Sequence, residues 1–480
     1  MDLIQRGFSC PYDMEIFIKI FFSQNEDGII MTDLTFKDDF INVYVEIIFK
    51  GKSYISDCSF PFSASIKDKK IIKKNYTCSV TKAFVKTAQK IRNINLPWGV
   101  MSGIRPAKVV RQYRKDGYSD EEVIKILRNL YDLSDEKINL AMCVADNEKR
   151  ILSMIGENSV SLYIGIPFCP TRCLYCSFVS TDIRKSGKYM DSFCDLLVEE
   201  IKKTKEVLEK CSFYVENIYI GGGTPTTLSC ENLQKIFDAL NKYIITDKLR
   251  EFTLEAGRPD TITLEKLNCA KEAGVNRISI NPQTMNDETL KKIGRCHSSS
   301  MIRDAYKMAR ECGFDCINMD LIAGLPDEEF SDFKYSLDEV IKMNPENITV
   351  HSMCVKKAAA LRFSDVELTK SNEMNKMLNY TQECMKNCNK EPYYMYRQKN
   401  ISGNLENVGY APKDKMSFYN INIMEEAQTI IALGGGAVTK VVMGDRIERI
   451  FNFKDPYEYI NRFGDIISKK DEILKIYGVE

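Results

Sequence analysis

The sequence predicts an α/β protein built on a partial (β/α)6 barrel, with an N-terminal α+β domain and a C-terminal α+β extension. Two observations predict it. Between about residues 155 and 365, apolar strand-like runs alternate with amphipathic helical stretches, and a parallel sheet needs such crossover helices. The chemically distinctive residues of this region also fall at the carboxyl ends of those runs, where barrel enzymes keep their sites. The boundaries read as 1–150, 151–365 and 366–480, and 480 residues are enough for three such units.

In the first unit, Ile16–Phe22 and Phe40–Phe49 are rich in Ile, Val, Phe and Tyr and predict strands, with a turn at Gly51-Lys52. Ser119-Asp-Glu-Glu122 is a capping box, and Val123, Ile124, Leu127 and Leu130 then share one helical face. Ser134-Asp-Glu opens a further helix toward Met154, and Lys108, Arg111 and Arg114 after Pro106 form a candidate basic face. In the second unit the predicted strands are Leu162–Pro167, Asn217–Ile220, Phe252–Glu255, Arg277–Ile280, Cys316–Ile322 and Ile348–His351. Helical stretches such as Tyr189–Lys203, Glu231–Tyr243 and Ser331–Lys342 separate them. The third unit carries a helix near Glu373–Asn387, the tyrosine-rich run Tyr393-Tyr-Met-Tyr-Arg-Gln-Lys399, a Gly434-Gly-Gly turn and a charged final helix. It is read as covering the substrate, whereas the first unit has no assigned role and is expected to be dispensable for assembling the site of the second.

Composition narrows the function classes. Apolar residues make up 44% and charged residues 28%, as in ordinary globular proteins. Lys plus Arg equals Asp plus Glu at 67 each, which argues against a nucleic-acid-coating chain and makes a tRNA-modifying role less favoured. The N-terminus shows no secretory pattern and no stretch of 18 apolar residues occurs, so a cytoplasmic protein without membrane association is expected. In that compartment the 17 cysteines read as free thiols plus metal ligands. Only two histidines, His297 and His351, are present.

Three cysteines carry most of the signal. In Leu162-Tyr-Ile-Gly-Ile-Pro-Phe-Cys-Pro-Thr-Arg-Cys-Leu-Tyr-Cys176, Cys169, Cys173 and Cys176 are spaced C-x3-C-x2-C directly after a strand. Three thiolates hold three corners of a [4Fe–4S] cubane and leave the fourth iron open. A zinc site would want a fourth Cys or His nearby, and none follows. This spacing is the signature of the radical S-adenosylmethionine (SAM) enzymes. Gly221-Gly-Gly-Thr-Pro-Thr226 ends the second strand, where glycines let backbone approach a ligand. Glu255 ends the third strand, Gln283 the fourth and Asp320 the fifth, with Arg295 in Ile-Gly-Arg-Cys-His. Carboxylates and amides so placed suit ribose hydroxyls or a cationic ligand. The pairs Cys312-x3-Cys316 and Cys384-x3-Cys388 hint at a second cluster, although i, i+4 cysteines on helices are commonly core filler.

Taken with Trp98-Gly-Val-Met-Ser-Gly-Ile-Arg-Pro106, Ile280-Asn-Pro-Gln-Thr-Met285 and Arg397-Gln-Lys-Asn-Ile-Ser-Gly-Asn-Leu-Glu-Asn-Val-Gly-Tyr410, the chain resembles the oxygen-independent coproporphyrinogen III oxidase (coproporphyrinogen dehydrogenase) family of radical SAM enzymes. It is most similar to the HemZ-like branch, over about residues 100 to 465. The resemblance implies that Cys169, Cys173 and Cys176 bind the [4Fe–4S] cluster. It implies SAM contacts from Tyr163, Tyr175, Gly222, Gly223, Thr224, Glu255, Gln283, Arg295 and Asp320, with Cys354 and Val438 lining a second SAM that some members bind. The implied reaction takes hydrogen from coproporphyrinogen III propionates by way of a 5′-deoxyadenosyl radical. Carbon dioxide is lost, and two rounds give protoporphyrinogen IX. The implied partners are a tetrapyrrole substrate and a reductant such as flavodoxin or ferredoxin, with the chain a monomer. Arg397 and Lys399 are candidate cations for the substrate's carboxylates.

Two positions depart from the best-known oxidases: Phe178 replaces a cysteine beyond the third ligand, and Gly165 replaces a histidine before Ile-Pro-Phe-Cys. The related haem chaperones lack that cysteine too. The alternatives are therefore a haem-binding chaperone, with His351 or His297 as axial ligand, and another radical SAM reaction on a tetrapyrrole, such as methylation linked to haem breakdown.

Overall fold

The structure is a computed structural model. It describes residues 1–479 apart from residues 24, 104, 179, 355–368, 370, 398–404 and 445, and only the backbone of residue 371. Its N-terminal part is a four-stranded sheet of Asp2–Arg6, Gly28–Lys37, Phe40–Phe49 and Lys52–Pro61 in sequential order. Helices Pro11–Phe21 and Lys69–Gln89 pack against each other, and the second lies on the sheet. The predicted strand Ile16–Phe22 falls in the first of these helices. Its isoleucines alternate with Phe17, Lys19 and Phe21, so a period of two fits locally. What decides is the row Met14, Phe17 and Phe21, spaced by three and four and fully buried. Pro11 at the first helical turn supports the same outcome.

Six parallel strands follow: Ser159–Ile166, Tyr214–Gly222, Glu251–Glu255, Arg277–Ser279, Ile317–Ala323 and Asn347–Ser352. Each pairs with the next in order. The helices Met190–Lys210, Cys230–Tyr243, Leu264–Glu272, Ser299–Glu311 and Phe330–Met343 make the crossovers. The strands read as continuous apolar runs because both faces are covered.

The C-terminal region extends this sheet at both edges, to eleven strands. Beyond the sixth barrel strand lie Glu406–Ala411 and Glu391–Arg397, both antiparallel to their neighbours. Beyond the first lies Ile430–Gly434, parallel to it, followed by the antiparallel pair Val438–Met443 and Arg446–Phe451. Open edges of a buried sheet leave unpaired backbone groups, and these strands supply the partners. Glu406–Ala411 and Ile430–Gly434 are buried along their whole length.

Residues 97–150 are tied into the barrel by buried polar contacts. Trp98 Nε1 and Lys137 Nζ both donate to Glu406, each at 2.6 Å, with Lys137 and Glu406 fully buried. Arg397 Nη1 donates to the carbonyls of Met101 (2.7 Å) and Gly103 (3.2 Å), and its guanidinium lies 5.4 Å from the Trp98 ring centroid. Arg105 pairs with Glu426 at 3.0 Å. The candidate basic face is resolved the same way. Arg111 pairs with the buried Glu148 and Glu425, and Arg114 pairs with Asp120 and Asp146. These two arginines are structural, because their charges face carboxylates of the same body. One apolar core runs from the N-terminal sheet through the barrel.

Candidate active site

The carboxyl ends of the six strands surround a cavity of about 300 Å³. Its wall holds Cys169, Cys173, Tyr175, Cys176, Gly222, Gly223, Thr224, Glu255, Gln283, Arg295, Asp320 and Cys354, twelve of the fourteen residues singled out from the sequence. The structure does not bring Tyr163 and Val438 to this wall. The Tyr163 ring stacks with Tyr219 and Tyr419, at 6.3 and 6.5 Å between centroids. Val438 begins an outer strand and pairs with Phe451.

The three cysteines lie on the loop after the first strand. Backbone bonds from Leu174 N to Ile293 O (3.0 Å) and from Cys176 N to Cys173 O (3.1 Å) hold that loop. Thr171 Oγ1 adds a bond to Gly294 O at 3.1 Å. Burial pushes the Cys169 and Cys176 thiols up. Cys169 Sγ also contacts Thr224 Oγ1 at 3.4 Å. Among the described residues no three His, Cys, Asp or Glu side chains converge as one ion would require, for these cysteines or for the Cys312/Cys316 and Cys384/Cys388 pairs. Thiolates that each hold a different iron of a cubane need not converge.

The glycine loop is tight by necessity. A Cβ on Gly223 would stand 2.5 Å from Phe168 O and 3.0 Å from Cys169 Sγ, and Gly222 has φ +107°. Only glycine lets the end of the second strand pass this close to the cysteine loop. Glu255 accepts from the Tyr219 hydroxyl. Burial is the main cause that pushes its carboxyl up to about 7, with nearby Asp320 adding to it. Gln283 sits at φ +68°, a left-handed conformation rare for a side chain of its size. It is held there because Gln283 N donates to Asp320 O and Gln283 O accepts from Ile322 N, each at 2.9 Å. Such strain, locked by neighbours, is typical of ligand sites. Arg295 is buried, with Nη1 on the carbonyls of Asn281 (2.7 Å) and Gly257 (3.2 Å). On the far wall, Tyr396 OH and His351 Nδ1 are 3.3 Å apart, and His351 Nε2 lies 3.7 Å from Asp320.

Sequence reading missed Arg258, Asn281, Tyr394, Tyr396 and Asn407, all on the same wall. Arg258 had a signal, since it follows the third strand as the other site residues follow theirs. The C-terminal tyrosines and Asn407 stand in runs that the sequence singles out, 393–399 and 397–410, but only the pairing of Glu391–Arg397 and Glu406–Ala411 beside the sixth strand brings them here.

A family model described as the radical SAM superfamily matches residues 163–339. The oxygen-independent coproporphyrinogen-III oxidase-like protein HemZ of Bacillus subtilis (strain 168) is 37% identical over 456 residues, spanning 94% of this chain and 90% of that protein. The chain belongs to this radical SAM family. A second relative, the haem chaperone HemW of B. subtilis, is 37% identical over 198 residues, 41% of this chain and 50% of that one. The solved structure of coproporphyrinogen III oxidase (HemN) from Escherichia coli shares the fold. Its TM-score is 0.54 at 22% identity, covering 67% of this chain and 72% of that one.

The family uses a [4Fe–4S] cluster and SAM, and the residues present fit both. Three thiols share one wall with two buried guanidiniums, Arg258 and Arg295, that offset anionic charge. The glycine loop leaves a cradle that any Cβ would fill. Buried Arg295 Nε and Asn281 Oδ1 have no hydrogen-bond partner among the described residues, which leaves both for a ligand. Gly165, where the best-known oxidases have histidine, faces the backbone of Gly435, whose carbonyl oxygen a Cβ would meet at 2.8 Å. No helix among the described residues is long and apolar enough to cross a membrane.

Proposed function

We propose that the chain is an anaerobic oxidative decarboxylase of coproporphyrinogen III that turns two propionates into vinyls. The supporting observation is that one cavity joins the cysteine loop and the residues the resemblance assigns to SAM to a wall of Tyr394, Tyr396, His351 and Asn407. When bound, the cluster and SAM supply a radical able to remove one hydrogen atom from a propionate carbon. Cys169, Cys173 and Cys176 hold the cluster. Gly222, Gly223 and Arg295 take the amino acid end of SAM, while Glu255, Gln283 and Asp320 orient its remainder. The far wall orients the propionate, and its aromatic lining keeps water away from the reacting carbon. Each round removes a hydrogen atom, one carbon dioxide and one electron, the last passing to a one-electron carrier. A flavodoxin or ferredoxin is the fitting reductant.

A second reading is a haem chaperone. Identity to HemW over about half of that relative and the place of His351 on the cavity wall favour it. His297 and Arg397 do not suit these roles. His297 is buried against Asp260 and is not part of the wall. Arg397 faces backbone carbonyls and Trp98, where burial lowers it to about 9, and Lys399 lies outside the described residues. The deciding experiment is anaerobic: reconstituted protein with SAM, dithionite and coproporphyrinogen III, followed by mass spectrometry. Two successive losses of carbon dioxide plus two hydrogens, matched by 5′-deoxyadenosine, establish the decarboxylase. Stoichiometric haem binding without substrate-dependent SAM cleavage establishes the chaperone. Deoxyadenosine without decarboxylation points to another tetrapyrrole reaction.

A further inference from the structure

We propose that Arg258 is a positioning residue that sets the geometry and reduction potential of the cluster through Cys173, under the control of Asp260. The inference rests on the family's cluster chemistry and not on which substrate is used.

Arg258 follows the third barrel strand and is 3% exposed. Its Nη1 points to Cys173 Sγ at 3.7 Å and to Thr171 O at 3.4 Å, while Nη2 donates to Thr171 Oγ1 at 3.1 Å. One guanidinium thus grips the cysteine loop at two residues. Asp260 fixes its plane through a two-point bond, Nε to Oδ1 and Nη2 to Oδ2, each 3.0 Å. Planar bidentate pairing of this kind leaves a guanidinium little freedom. Asp260 is itself flanked by buried His297, with Nδ1 3.6 Å away. Arg295 is a second guanidinium beside Cys173.

Charge near a cluster and hydrogen bonds to its sulfurs tune its potential, and partners behind the ligands fix their orientation. A guanidinium beside Cys173 favours the reduced, more negative cluster. Asp260 opposes it, because its carboxylate is fixed next to the same guanidinium. The two residues therefore act with opposite sign, which a purely structural clamp would not.

The test uses the full chain, reconstituted anaerobically without SAM and titrated with dithionite while reduction is followed by electron paramagnetic resonance. Arg258→Gln is expected to move the midpoint to more negative potential, and Asp260→Asn to less negative potential. Arg258→Lys should return part of the way to the parent, since it restores the charge without the fork. Iron per chain is measured alongside. Midpoints equal to the parent in variants that carry full iron would overturn the proposal, as would shifts of the same sign in both. If Arg258→Gln fails to take up iron, Asp260→Asn and Arg258→Lys decide. An unshifted Asp260→Asn then refutes the role, and an upward shift with iron retained supports it.

Discussion

Glu406→Gln removes the charge at the centre of the joint between residues 97–150 and the C-terminal strands. Both Lys137 and Glu406 are fully buried, and the carboxylate accepts Lys137 Nζ and Trp98 Nε1 at 2.6 Å each. The amide keeps the volume but leaves a buried ammonium without its counter-charge, and it has one acceptor oxygen for two donors. Breaking a buried pair from one side costs about 3–5 kcal/mol, a large share of the roughly 5–15 kcal/mol that holds a domain together. Lys137→Met in the same background should recover part of the loss, since the uncompensated charge is then gone. The measurement is urea unfolding of all four proteins of the cycle, with the slope checked for constancy. A coupling energy of about 0.5–3 kcal/mol is expected for residues in one network. A Glu406→Gln loss below about 1 kcal/mol, or losses that simply add, would refute the reasoning.

Against the expectation that residues 1–150 are dispensable, a chain starting at residue 151 lacks Trp98 and Lys137 and strips the cover from the strand Glu391–Arg397. It is expected to be insoluble, and a folded product that takes up iron would count against the joint. Gly223→Ala forces a Cβ onto Phe168 O and Cys169 Sγ. SAM binding to the reconstituted variant should weaken at least about tenfold, or ~1.4 kcal/mol, and equal affinity by calorimetry would contradict the cradle. Glu328 is buried beside Thr284, whose hydroxyl donates to it at 2.5 Å, and burial pushes its carboxyl up to about 7. A carboxyl raised on folding costs nothing below its unfolded pKa; the cost grows from there up to about pH 7 and is level above it. Glu328→Gln should therefore stabilise by up to about 3 kcal/mol at pH 8 and by little near pH 5. Melting curves showing the same shift at both pH values would rule this out.

By itself the sequence determined the barrel, since buried parallel strands and their crossover helices write long, repeating patterns. It also singled out the candidate cluster cysteines, because three cysteines within eight residues must share a loop. Glu255, Gln283 and Asp320 were legible for a related reason, as each ends a strand and strand ends meet in a curled parallel sheet. Other features belong to the tertiary structure. The helix Pro11–Phe21 reads as a strand until the row of Met14, Phe17 and Phe21 is seen to be buried. Tyr394, Tyr396 and Asn407 reach the cavity only through strand pairing across the edge beside the sixth barrel strand. Arg397 reads from sequence as a candidate cation for the substrate's carboxylates, and the fold turns it inward onto Met101 O and Gly103 O. The physical division is one of range. Periodicity and short motifs are local and survive in the sequence, whereas contacts between residues hundreds of positions apart depend on which edges and faces the folded chain must cover.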